Sequence, residues 1–128
     1  MKFVYLIVFS FLGGMTRWII SSLFTAQGFP FTTLAINLSG CFLLAFIVQG
    51  IANFSFFSKD LITGLGTGFV GSYTTFSTFT IESIHFLQEG NIQYFIIYLT
   101  VSLFGGLLAA RLGYWAGNNV FKLGSERY

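Results

Sequence analysis

Gly64-Leu65-Gly66-Thr67-Gly68-Phe69-Val70-Gly71-Ser72-Tyr73-Thr74-Thr75-Phe76-Ser77-Thr78-Phe79-Thr80 lies inside one apolar stretch, Leu61 to Leu87. A helix crosses a hydrocarbon core with about 20 residues. This stretch exceeds that length, and four glycines run into consecutive threonines at its centre. The pattern predicts a break near the middle. Irregular backbone at membrane depth persists only where protein, water or an ion satisfies the freed carbonyls and amides. The alternative is a continuous helix whose glycines form a packing face.

Outward from this stretch the chain is apolar nearly throughout. Of 128 residues, 55% are hydrophobic, 20% aromatic and only 8% charged, and the mean hydropathy is +0.79. A soluble domain carries about 25% charged residues, so this surface must face lipid. Three more segments approach membrane length: Phe3 to Leu23, Thr33 to Ile51 and Ile92 to Val120. The expectation is an all-α membrane protein in which residues 1–128 form a single four-helix transmembrane domain, the third helix broken. The run from Phe3 to Leu12 follows Lys2 like a signal peptide but continues to Arg17 without a small-residue cleavage site, so it is expected to be a retained first helix.

Gln27-Gly28-Phe29-Pro30 and Gln88-Glu89-Gly90-Asn91 have turn chemistry, and Asn53 to Asp60 forms the middle loop. Gly105, Ala109, Gly113 and Gly117 recur every four residues, a stripe that admits a close helix neighbour. Tyr94, Tyr98 and Ser102 share that spacing on an adjacent line and could align hydroxyls as a polar track; an interfacial position is the alternative for Tyr94. Lys2, Lys59, Lys122 and Arg127 fall on one side when the N-terminus is inside, which favours N-in and C-in; Arg17 and Arg111 lie within helices, so opposite insertion of some copies is the alternative. A net charge of +2 without a polybasic run excludes a nucleic-acid surface. Cys41 is the lone cysteine, so a disulfide framework and a cysteine metal cluster are excluded.

Arg17, Glu82, His85 and Arg111 are ionisable residues within or near spans, where a central charge costs about 2.5–3.5 kcal/mol. Arg17 is expected to anchor a helix terminus through carbonyls, with recruitment of an anion as the alternative, Arg111 to snorkel, and His85 to sit at the interface. Asn37, inside the second span, carries an amide that needs partners in lipid: a helix–helix hydrogen bond or a place in a pore. Phe76 and Phe79 share a helix face beside Ser77 and Thr78. Aromatic rings have a positive edge, so this pair suits either core packing or weak anion contact.

The chain resembles the Fluc fluoride channels, also called the CrcB family. The resemblance rests on Gly13-Gly14 with Arg17-Trp18, on Thr33-Leu34-Ala35-Ile36-Asn37 with Gly40, and on Thr74-Thr75-Phe76-Ser77-Thr78-Phe79 followed by Glu82. Tyr98, Ser102 and Gly105 lie where that family has pore or packing residues. The resemblance implies an antiparallel dimer, of identical or related chains, with two fluoride pathways in a prokaryotic cytoplasmic membrane. It makes Asn37 a pore donor, Phe76 and Phe79 the ring-edge contacts, and Ser77, Thr78, Tyr98 and Ser102 polar elements of the pathway. It also implies a structural sodium ion at the dimer centre on the carbonyls of Gly71 and Thr74. Ser72 and Gly106 depart from the family pattern, which often has glycine and serine there.

The activity so implied is passive, selective export of fluoride, not enzymatic catalysis. A proton-coupled multidrug transporter would place its essential acid in the first span, whereas Glu82 is in the third. A pure packing subunit would explain the glycines but not the grouping of Asn37 with the Phe/Ser/Thr segment. An intramembrane hydrolase would need a catalytic pair or metal cluster that the sequence lacks.

Overall fold

The computed structural model describes residues 1–126, which leaves Arg127 of the basic-residue argument outside the described residues. The described residues are helical with short connections and no strand. Helix α1 spans Lys2–Leu23 and α2 spans Phe31–Gln49, followed by a 3₁₀ turn, Ile51–Asn53. Three pieces then run on without interruption: α3 (Lys59–Thr63), a π-helical segment (Gly64–Val70) and α4 (Gly71–Tyr73). Helices α5 (Phe76–Gln88) and α6 (Ile92–Ser125) complete the chain. Helix α1, the stretch Phe31–Asn53 and α6 are long and apolar enough to cross a membrane. The connections before α2 and α6 turn at Gly28 and Gly90, whose φ of 87° and 75° are open to glycine at little cost.

Two parallel pairs make up the body. The run from residue 59 to 74 lies along α1, with Gly64 beside Tyr5, Gly68 beside Phe9 and Gly13 against Phe69 and Ser72. A Cβ at Gly64 would come within 2.9 Å of the Tyr5 Cβ, and one at Gly13 would overlap the Phe69 carbonyl. The glycines therefore let the backbones approach, while the Gly71 N–H donates to the Gly66 carbonyl five residues back. The Ser72 hydroxyl lies 2.7 Å from both the Ser10 and Gly68 carbonyl oxygens. Helices α2 and α6 form the other pair, and the stripe on α6 is used: Gly105 faces Leu38, Gly113 the Phe42 carbonyl, and Gly117 sits on Gly50.

Helix α6 runs beyond the sequence-based end near Val120 to Ser125. Asn118 and Asn119 do not stop it, because Phe121 packs edge-on against Phe54 at 5.7 Å and Gly124 admits the same ring. Tertiary contact there outweighs local propensity.

Candidate functional site

Helices α4 and α5 are separated by two residues with extended backbone, Thr74 (φ −76°, ψ 157°) and Thr75 (φ −145°, ψ 118°). Asn37 of α2 meets this point with both ends of its amide. Its Nδ2 donates to the Thr75 carbonyl at 2.9 Å, and its Oδ1 accepts from the Thr75 N–H at 2.8 Å. The Thr75 N–H is thereby taken from the Gly71 carbonyl, its partner in a continuous helix. In the same way the Thr78 N–H goes to the Thr75 Oγ1 at 3.2 Å rather than to the Thr74 carbonyl. Thr75 is thus the N-cap of α5. The carbonyls of Gly71 and Thr74 lose their helical donors for these two specific reasons. Arg17 of α1 donates from Nη1 to the Thr74 carbonyl at 3.2 Å.

A hydroxyl group of three forms around the cap. Thr75 Oγ1 donates to Thr78 Oγ1 at 3.0 Å and lies 3.3 Å from Ser77 Oγ. Phe76, 79% exposed in the single chain, projects beside them, its ring 5.9 Å from that of Phe79. Phe79 is half-buried and lies 4.9 Å from the ring of Tyr98.

Tyr98 is fully buried, and its hydroxyl is taken by an acid. It donates at 2.7 Å to Glu82, whose other carboxylate oxygen accepts from Thr33 at 2.8 Å. Ser102 makes no side-chain hydrogen bond among the described residues, and Tyr94 packs its ring against Phe29 and Phe86. The Thr33–Glu82–Tyr98 cluster joins α2, α5 and α6. Thr33, Thr78, Glu82 and His85 line one open cavity of about 410 Å³. Sequence reasoning did not assign Thr33 or Thr75, and it left Glu82 without a partner. The available signal was that an acid inside a span needs one; which of many hydroxyls supplies it depends on the packing.

A second open cavity, about 450 Å³, is lined by Asn37, Gly40, Cys41, Gly71, Thr74 and Phe76 among others. Gly71 is exposed there with open space around it. No group of three or more His, Cys, Asp or Glu side chains among the described residues is placed to hold a metal. The oxygens suited to a hard cation are instead the two displaced carbonyls. They fit such an ion in kind, and Thr74 keeps one lone pair beyond its bond to Arg17.

Long apolar helices around an interruption whose polar groups are held by side chains define a small multi-pass membrane protein. The chain matches the family described as CrcB-like protein, Camphor Resistance (CrcB), over residues 4–114, and it belongs to that family, the Fluc channels. It is 43% identical over 126 residues to a Listeria innocua protein named fluoride-specific ion channel FluC 2, covering 98% of both chains. A Listeria monocytogenes protein of the same name is 40% identical, over 99% of this chain and 98% of its own. A Bacillus thuringiensis protein named fluoride-specific ion channel FluC 1 is 40% identical over 94% and 92% respectively. The protein is accordingly a multi-pass protein of the bacterial plasma membrane in an ion-channel family, and not an enzyme.

Proposed function

We propose that the chain is a fluoride-selective passive channel that exports fluoride from the cytoplasm. The observation that carries this reading is the grouping, at one interruption, of the Asn37 amide, the Thr75, Ser77 and Thr78 hydroxyls and the Phe76 and Phe79 rings. Fluoride is small and strongly hydrated, so a selective path must replace its water with several close donors. Hydroxyls turn to donate to an anion, and ring edges add weak attraction. Neither binds so tightly that the ion stays. Ser102 belongs to the path on the resemblance alone, and Tyr98 acts by holding Glu82 and backing Phe79. An inside-negative potential drives an anion outward with about 2.3 kcal/mol per charge per 100 mV. Efflux of fluoride from liposomes that retain chloride is the expected result; equal efflux of the two anions overturns the reading.

The assembly belongs to the same proposal. The run from 59 to 73 together with α5 forms a broken third crossing, which gives four crossings in all and places both termini of a subunit on the same side. Two such subunits, identical or related, pack antiparallel through the open face that bears Gly71, Thr74 and Phe76. A sodium ion would be held there by the Gly71 and Thr74 carbonyls of both subunits, supplying fixed positive charge and a structural bridge. A ligand bound only by the assembled state stabilises it by RT ln(1 + [L]/Kd). Dimer stability is therefore expected to fall when sodium is replaced by a large organic cation at constant ionic strength. An unchanged dimer would remove sodium from the account.

A further inference from the structure

Tyr73 and the two residues of the interruption, Thr74 and Thr75, are each met by α2. Asn37 takes Thr75 through two hydrogen bonds. Gly40 receives Thr74, whose Cγ2 would be overlapped by any Cβ at position 40. The third contact has no role in the fluoride path: Ser39 Oγ lies 2.9 Å from Tyr73 Oη. Ser39 Oγ also donates to the Ile36 carbonyl at 3.0 Å. A serine hydroxyl has one hydrogen, so with that hydrogen on Ile36, Tyr73 must donate to Ser39. Tyr73 is only 7% exposed, and its ring stacks on Phe69 with centroids 5.9 Å apart.

Tyr73 is the last residue of α4, upstream of the interruption, and Thr75 is the cap of α5, downstream. The Asn37 amide alone would fix only the downstream side. We propose that Ser39 and Tyr73 are positioning residues for the interruption, their hydroxyl pair setting the helix end that carries Gly71 relative to the Thr75 and Thr78 hydroxyls. Helix α2 then serves as a ruler, because Asn37 and Ser39 hold the two sides from one helical turn. The structural half stands on the contacts themselves; the consequence for ion selection rests on the fluoride reading above.

The test uses the full chain with Tyr73→Phe, Ser39→Ala, the double variant and Ser39→Thr, which keeps a hydroxyl. Amide exchange is followed at Thr75, and the fluoride-to-chloride efflux ratio is measured in liposomes at matched yield of folded protein. Each single loss is expected to speed Thr75 exchange and lower the ratio by about threefold, the size of a typical hydrogen bond between membrane helices. The double variant should match either single one, and Ser39→Thr should restore both readouts. A merely structural hydroxyl pair would lower melting temperature while leaving the ratio of the surviving protein unchanged. Unchanged Thr75 exchange in both single variants, an unchanged ratio, or effects that multiply in the double variant would overturn the proposal. If the wild-type chain passes no fluoride, the functional reading fails and the exchange measurement alone decides the positioning role.

Discussion

Helix α2 makes two unlike contacts. Towards α6 it meets glycines: Leu38 lies on Gly105, the Phe42 carbonyl on Gly113, and Gly50 on Gly117. Towards residues 73–75 it offers polar groups, and Asn37 and Ser39 each engage a partner across the interruption. The first contact works by smallness. It brings two regular helices together and places no donor anywhere in particular. The second works by directed hydrogen bonds, and it decides which carbonyls and hydroxyls remain for another ligand. One helix is therefore both scaffold and setting for the site, and the two roles respond to different substitutions.

The scaffold contact breaks most severely. A Cβ at Gly113 already overlaps the Phe42 carbonyl, so Gly113→Leu is expected to cost about 3 kcal/mol or more through overpacking. The check is loss of folded protein by size-exclusion chromatography. Asn37→Ala comes next: it strands the Thr75 N–H, at about 1–3 kcal/mol for an unsatisfied group, while the Thr75 carbonyl keeps its place as the first acceptor of α5. Fluoride efflux should fall to background, with a lower melting temperature in the protein that remains. Near-normal efflux from Asn37→Ala would show that the directed contact is only packing.

Phe76→Ile separates function from stability. The ring is 79% exposed in the single chain, so subunit stability should change by no more than about 0.5 kcal/mol, whereas efflux should drop because an aliphatic group has no positive edge. Efflux at matched dimer yield gives the answer. The smallest effect is expected at Gly14, which neighbours the tightly packed Gly13 but has nothing within 4 Å of an added Cβ. Gly14→Ala should leave efflux intact and raise helix stability by about 0.4–1 kcal/mol, read from the melting temperature.

The membrane class was legible in composition, and the α6 stripe in its four-residue spacing, because lipid exposure and close approach act on every residue of a helix in the same way. The glycines and threonines between Gly64 and Thr80 marked an unusual segment. Its π winding was not legible, since that depends on α1 presenting Tyr5, Phe9 and Ser10 at matching heights. Asn37 stood out as a costly amide in lipid, but its partner is a backbone unit 38 residues away. Backbone carries no identity that sequence could flag. Thr33 and Glu82, 49 residues apart, were each ordinary or unexplained until folding paired them around Tyr98.

The most direct test of a fluoride path at this interruption is the reversal potential of the chain, expressed alone, in a planar bilayer with a tenfold fluoride gradient and equal chloride on both sides. The account expects a magnitude close to 59 mV, roughly the value for a monovalent ion carried alone across a tenfold gradient. A reversal potential near zero would mean that chloride carries the current, and would contradict it.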